Sequence, residues 1–151
     1  MDAISLLKSD HKKVKGLFKQ VETTEENQHQ MLFEQIKAEL EVHTHIEETV
    51  LYPRMKEFKE LKDIVLEGVE EHHQVKLLIR EIDNLVGDSE KFEPKLKVLI
   101  EDVEHHIKEE EEEMFPKIEE LVDKKTLELM GTELELEKKR YAKANTVGTG
   151  K

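Results

Sequence analysis

Two histidine–glutamate pairs in this sequence share one spacing. His43 precedes Glu47 by four residues, and His106 precedes Glu110 by four. In a helix this spacing places both side chains one turn apart on the same face, where an imidazole nitrogen and a carboxylate oxygen can converge on one point. Both pairs lie in stripes that otherwise hold Leu, Val, Ile or Met. Because a buried, ionised glutamate needs a cation, the pairs predict metal ligation.

A single histidine accompanies each pair, because the chain repeats. Residues 10–15 match residues 71–76 at an offset of 61, and residues 43–53 match residues 106–116 at an offset of 63. The repeat predicts two copies of one helical hairpin that pack about a pseudo-two-fold axis. The six predicted metal ligands are His11, His43, Glu47, His72, His106 and Glu110.

The ligand count favours two metal ions. Four imidazoles supply four nitrogens, and two glutamates that both bridge would each give one oxygen to each ion. Five- or six-coordinate metals would then keep open positions for water, dioxygen or peroxide. The chain has no cysteine, and imidazole with carboxylate suits iron or manganese, with zinc possible by ligand type. We therefore expect two iron ions, with manganese or zinc less favoured.

The other histidines have simpler interpretations. His29, His45 and His105 are expected at the protein surface. His73 is left open, because it lies about 100° around the helix axis from His72 and only a distortion would bring it to the same ion.

Three residues beside the pairs have two interpretations each. Glu48 and Glu111 either accept hydrogen bonds from imidazole N–H groups or face solvent. Tyr52 is a candidate neighbour of the centre, but Phe115 fills the matching place in the other half, so packing is expected for both.

A metal-free bundle is the alternative to metal binding. In that case hydrogen bonds between the histidines and glutamates would hold the helices together.

Apolar periodicity predicts the helices that position these residues. Helical stripes cover about residues 3–21, 33–57, 61–86 and 94–114, and Asp123 can cap a shorter fifth helix. Pro53 is expected to kink the second helix, and Gly87 to end the third. The pattern predicts an all-α, up-down four-helix bundle with a short extra C-terminal helix. Residues 1–144 would form one domain, and residues 145–151 a flexible tail.

Charge and hydropathy limit the partners. The 151 residues include 24 Lys and Arg against 36 Asp and Glu, a net charge of −12. Such a surface should repel phosphate backbones and anionic lipids, so neither nucleic acid nor membrane is an expected partner. No apolar run has membrane-spanning length, and the first residues lack the features of an export signal. We therefore expect a cytoplasmic protein.

Four ordered motifs recur at matching spacing in the two halves. They are Asp10-His11-x-x-Val14, His43-x-x-x-Glu47-Glu48-x-x-x-Tyr52-Pro53, Glu71-His72-x-x-Val75 and His106-x-x-x-Glu110-Glu111-x-x-x-Phe115-Pro116. These motifs resemble those of the hemerythrin HHE cation-binding domain family. The resemblance implies a four-helix bundle with a carboxylate-bridged di-iron centre, held by the six residues named above. It also implies binding of oxygen, peroxide or nitric oxide, or a role in iron handling and sensing.

One position departs from the oxygen-carrying hemerythrins. Those proteins resemble this chain but place a second histidine four residues after the first on the third helix, where this chain has Lys76. The departure disfavours simple reversible oxygen carriage and favours redox turnover, sensing or iron handling. The leading hypothesis is a non-haem di-iron protein that binds a small oxidant or gas. An iron-responsive regulatory or storage module is the second hypothesis, and enzyme status is left open because no proton donor is evident.

Overall fold

The computed structural model describes the backbone of residues 1–149 and the side chains of residues 1–145, and every regular element in this part of the chain is helical. A 3-10 turn at Glu26–Gln28 joins the first two helices. The helices are α1 Ala3–Thr23, α2 His29–Ile46, α3 Tyr52–Met55, α4 Lys62–Asp83, α5 Phe92–Glu109, α6 Phe115–Leu121 and α7 Lys124–Thr149.

Two helical hairpins form the bundle. Helix α1 packs on α2, and α4 packs on α5, while α2 continues into α3 and α5 continues into α6. Helix α7 lies against α1 and α2. The all-α prediction of a four-helix bundle with an extra C-terminal helix is therefore confirmed.

A π-helical turn interrupts each of the two long continuous helices. The turns are Glu47–Leu51 and Glu110–Met114, so each begins at a predicted glutamate ligand and ends just before an aromatic–proline pair. Proline has no N–H and its ring crowds the carbonyl four residues earlier. In both turns the backbone N–H of the aromatic residue instead bonds to the glutamate carbonyl five residues earlier. The kink expected at Pro53 is thus a π turn, and Pro116 repeats it.

Two apolar clusters fill the bundle, one on each side of the histidines. One cluster includes Leu7, Leu51 and Phe115, and the other includes Phe18, Phe33 and Leu99. Along each of α1, α2, α4 and α5 the buried histidine stands where one cluster gives way to the other. The predicted site is therefore a polar layer between two apolar cores.

Helix α7 is longer than the short helix expected from the sequence. It spans 26 residues, and Asp123 caps it as expected, since the Thr126 N–H donates to Asp123 Oδ1 over 2.8 Å. Packing anchors its first half: Met130 and Leu134 are fully buried, and Gly131 lies against the backbone of Met1 so closely that a Cβ would collide with its carbonyl oxygen. The predicted tail, residues 145–151, overlaps the end of this helix and otherwise lies outside the described residues, so its flexibility stays a prediction.

The third long helix ends earlier than predicted. Helix α4 stops at Asp83, and Val86 is 88% exposed, so no apolar burial supports a further turn. Gly87 has a φ of 61° and reverses the chain within the connection instead of capping the helix. Among the described residues no helix combines the length and apolarity needed to cross a membrane.

Candidate metal centre

The six predicted ligands converge in the middle of the bundle. Each of the bundle helices α1, α2, α4 and α5 contributes one histidine, and each π turn contributes the glutamate at its first position. All six side chains are buried, with exposures of 8% or less. They are His11, His43, Glu47, His72, His106 and Glu110.

The two glutamates lie between two pairs of histidines. His11 Nε2 is 3.2 Å from Glu110 Oε1, and His43 Nε2 is 3.4 Å from Glu47 Oε2. On the other side, His72 Nε2 is 3.0 Å from Glu47 Oε1, and His106 Nε2 is 3.3 Å from Glu110 Oε2. Each pair together with both glutamates forms a set of four donor atoms within 4.8 Å of one another. We call these sets the His11–His43 group and the His72–His106 group.

Four polar atoms of the His11–His43 group have no hydrogen-bond partner. They are His11 Nε2, His43 Nε2, Glu47 Oε2 and Glu110 Oε1, all buried. Buried polar atoms in proteins almost always have a partner, and an unsatisfied one costs about 1–3 kcal/mol. Two nitrogens and two oxygens that face one point in this way have the donor chemistry of a metal site.

The outward nitrogen of each histidine contacts a second carboxylate. His11 Nδ1 donates to Glu111 over 2.7 Å, and His72 Nδ1 donates to Glu48 over 2.6 Å. In the same way His43 Nδ1 meets Asp10 at 3.0 Å and His106 Nδ1 meets Glu71 at 2.5 Å. Asp10, which precedes His11, thus contacts His43, and Glu71, which precedes His72, contacts His106. Such contacts fix the tautomer that presents Nε2 to a metal.

Charges within the centre shift the pKa values of its residues in opposite directions. Burial alone would lower the pKa of His43, but the Glu47 carboxylate and the hydrogen bond to Asp10 raise it to about 10. Burial alone would raise the pKa of Glu47, but the charge of His43 and the closeness of His106 and His72 hold it well below its ordinary value. His43 therefore favours its protonated form beside the Glu47 carboxylate, and a metal cation at this position would displace that proton.

Tyr52 joins the centre, contrary to the expectation that it only packs. Its hydroxyl donates to Glu110 Oε2, lies 3.3 Å from Glu47 Oε1, and is 3.4 Å from Nε2 of both His72 and His106. Burial and the two glutamate charges raise the pKa of the phenol well above its ordinary value. One sequence signal pointed to this residue: it stands five positions after Glu47 and directly before a proline.

Phe115 occupies the equivalent place in the other half and does pack. Its ring stacks on His11 with a centroid distance of 5.8 Å and an interplanar angle of 5°. The His72–His106 group therefore has a phenol oxygen beside it, whereas the His11–His43 group has an apolar phenyl ring.

An apolar cavity opens next to the histidines. It has a volume of about 20 Å³ and is lined mainly by these four histidines and by aliphatic side chains such as Val14, Leu40, Val75 and Val103, with Asp10, Glu39 and Thr44 completing the wall. This volume admits a water molecule or a diatomic molecule. The cavity therefore suits a very small ligand.

The remaining histidines divide between surface and interior. His73 is exposed and stays outside both groups, and His105 is exposed as predicted. The surface prediction is wrong for His29, which is buried and bonds to Glu93, and only half right for His45, which is partly covered and bonds to Glu137. Both partners lie far away in sequence, so local pattern could not reveal them.

Comparison with known proteins gives one family and two relatives. The family described as hemerythrin HHE cation-binding domain matches residues 2–118. A DNA nickase of Nostoc sp. is 28% identical over 141 residues, which cover 93% of this chain and 40% of that protein. The chain thus spans about two fifths of the length of this curated relative. A crystal structure of an HHE cation-binding domain-containing protein of Mycobacterium kansasii matches with a TM-score of 0.82 and 23% identity, over 99% of this chain and 93% of that one.

Proposed function

Because this chain belongs to the hemerythrin HHE cation-binding domain family, we propose that its clustered histidines and glutamates bind two iron ions as a carboxylate-bridged centre. The observation that carries the proposal is the sharing of Glu47 and Glu110 between two groups of four donor atoms. One oxygen of each glutamate faces each histidine pair, which is the arrangement that two bridging carboxylates require. The unpartnered nitrogens and oxygens of the His11–His43 group also fit a cation.

The donor set favours iron over the alternatives. Imidazole and carboxylate donors without thiolate suit iron, manganese and zinc. The Tyr52 hydroxyl adds a hard oxygen donor to the His72–His106 group, and phenolate oxygen favours ferric iron in particular. Iron in such a centre would supply reversible one-electron chemistry and an open coordination position.

We further propose that the ligand is dioxygen, peroxide or nitric oxide. The apolar cavity beside the histidines admits only a molecule of this size. The Tyr52 hydroxyl points at the two glutamates, whose charges keep it protonated, and an iron ion at the His72–His106 group would displace that proton. Lys76 bonds to Glu48 at 3.0 Å and adds no imidazole, which supports oxidant chemistry or sensing over oxygen carriage.

Metal analysis tests the proposal. Protein purified from iron-supplemented cells should contain close to two irons per chain, and the ferric form should absorb in the near ultraviolet. The double variant E47Q/E110Q should lose both irons, because it removes the two bridging charges. Variant E112Q/E113Q, which changes two exposed glutamates of the same run, is the matched control and should keep them. Wild-type protein that takes up no metal would rule the centre out.

A regulatory module is the second candidate, and one observation favours it. The chain covers 40% of the related nickase, so a domain of this kind is found within a longer protein. The net charge of −12 repels phosphate groups, so we propose that this domain itself binds neither nucleic acid nor membrane. We also propose that it acts in the cytoplasm. Wild-type protein whose thermal unfolding is the same with iron and with a chelator would exclude regulation through metal-induced ordering.

The metal-free bundle has a test of its own. In a bundle held only by His–Glu contacts, replacing His43 and Glu47 by leucine should stabilise the protein by about 1–4 kcal/mol, because a buried charge pair gives way to apolar packing. In a metal protein studied with iron the same change should lower stability. Chemical denaturation with and without iron separates the two.

A further inference from the structure

Four carboxylates contact the Nδ1 atoms of the histidines, and these carboxylates differ in their second partners. Glu48 bonds to Lys76 of α4 at 3.0 Å, and Glu71 lies beside Glu109 and His105 of α5. Asp10 instead bonds to Lys138 of α7, with Nζ 2.5 Å from Oδ1. Among these four carboxylates, Asp10 is the one bonded to a residue beyond the four-helix bundle.

Helix α7 docks on the bundle through contacts that do not involve Lys138. Leu127, Met130 and Leu134 belong to one of the two apolar cores. Glu133 pairs with Arg54, and Glu137 bonds to His45 at 2.7 Å. The whole of α7 follows the segment that matches the family, residues 2–118. The contact from Lys138 to Asp10 therefore connects an appended helix to the centre without being the main support of that helix.

The Asp10 carboxylate joins Lys138 to His43 through its two oxygens. Oδ1 accepts from Lys138, and Oδ2 accepts from His43 Nδ1 at 3.0 Å. The Nδ1 bond sets the direction in which His43 Nε2 points. Because Asp10 is partly exposed, its carboxylate can turn toward solvent when the lysine is absent. The orientation of His43 thus depends on α7.

We propose that Lys138 is a positioning residue that couples the docking of α7 to metal binding at His43. The proposal rests on the metal centre proposed above. Coupling is reciprocal, so a docked α7 raises metal affinity and bound metal holds α7 in place. In a longer protein this contact would let a segment that follows α7 respond to the metal state of the bundle.

An anaerobic titration with ferrous iron tests the first half of the coupling. K138M should weaken iron binding at least about fivefold, the low end for coupled sites. K138R should restore most of the iron affinity, because arginine keeps a positive charge at position 138 that can pair with Asp10. K139M removes the same charge from the adjacent exposed position and should bind iron as the wild type does. D10N should weaken binding as K138M does, and the double variant should add little, since both act through one carboxylate.

Backbone hydrogen exchange of α7 tests the second half. Iron should slow exchange in residues 124–145 of the wild type, and this effect should vanish in K138M. R54M should speed exchange in α7 by removing the pair with Glu133 but keep the iron-dependent slowing, because Asp10 is untouched. Circular dichroism of each variant checks that the fold is intact.

The outcomes separate the two proposals. Wild-type protein that binds no iron refutes the metal centre. Wild-type protein that binds iron while K138M binds it equally well refutes the coupling and leaves the centre standing. A loss of iron affinity in K139M equal to that in K138M also refutes the coupling, because the overall positive charge of α7 would then explain the effect without the contact to Asp10.

Discussion

The phenol of Tyr52 is the residue that makes the two halves of the centre different. Its hydroxyl lies among the His72–His106 donors, whereas Phe115 stacks on His11 in the other half. The two groups of donor atoms therefore have different surroundings although the sequence repeats. If each group held a metal ion, the phenol oxygen would take one more position at the His72–His106 group, so an external ligand would meet the His11–His43 group first.

Replacing Tyr52 with the phenylalanine of the other half tests this asymmetry. In the ferric protein a phenolate ligand gives a charge-transfer band in the visible range, and Y52F should lose that band. Iron affinity should fall by about tenfold, the usual size for a lost partner of a metal site. Visible absorption and iron titration measure both effects. A visible band that persists in Y52F would show that the phenol is not a ligand.

The π turns act at the scale of the secondary-structure element. Each turn adds the equivalent of one residue to the α-helical path, and so rotates Glu47 or Glu110 relative to the aromatic residue that follows. Because both turns begin at a glutamate of the centre, the wider helix is what places glutamate and aromatic side chain on the same inner face.

Inserting one alanine after exposed Thr49 adds a residue that the first π turn cannot absorb. The residues before the insertion should then turn by about 100° relative to those after it, so Glu47 and Tyr52 could no longer share the centre. We expect helix content by circular dichroism to persist and iron content to fall below one per chain. Insertion of one alanine after Asp88, in the exposed connection before α5, is the control and should keep the iron. Full iron content after the insertion at Thr49 would contradict this role of the turn.

His29 ties the start of α2 to α5 at the end of the bundle. Its Nδ1 lies 2.9 Å from Glu93, and its Nε2 lies 3.3 Å from the Thr24 carbonyl. Since both partners are acceptors, both ring nitrogens can donate only when the ring is protonated, so these contacts favour the charged form. Burial opposes this charge, but the hydrogen bond and charge of Glu93 raise the pKa of His29 above its ordinary 6.5.

The stability contributed by His29 should depend on pH. A raised folded-state pKa means that the contribution is complete below pH 6.5, the ordinary value, and is lost as the pH rises through the raised one. H29Q should lower the free energy of unfolding by about 1–2 kcal/mol at pH 6, and by less at pH 9. Urea denaturation of both proteins with chelator present measures the difference. H105Q, at an exposed histidine, should show no such trend.

At the scale of the whole molecule, the centre is a charged layer between two apolar cores. Four histidines and two glutamates occupy positions at which apolar side chains would otherwise join the clusters. Without metal this layer weakens the bundle, because buried charges are only partly compensated. Bound metal would connect all four long helices at one level.

Thermal unfolding should therefore depend strongly on metal. Free iron at a hundred times its dissociation constant should stabilise the protein by about 2.7 kcal/mol, which for a domain of this size raises Tm by about 5–10 °C. Scans with iron and with a chelator measure this shift. The E47Q/E110Q variant should melt at the same temperature in both, and a shift in that variant would mean that iron binds elsewhere.

The sequence by itself determined which faces of the helices meet and which six residues lie there. Helical period, the His-x-x-x-Glu spacing and the internal repeat are local properties, so His43 and Glu47 could be assigned to one buried face without coordinates. The same local rules gave the all-α bundle and the cap at Asp123. They could not give helix ends, because α4 stops where burial stops.

Only the tertiary structure decided what surrounds those six residues. Asp10 is adjacent to His11 but serves His43, and it takes its second partner, Lys138, from the far end of the chain. Tyr52 enters the centre because a π turn, not an ideal helix, precedes it. Such contacts depend on how packed helices are rotated and offset relative to one another. That arrangement is set by the total burial of both cores, and no short stretch of sequence carries it.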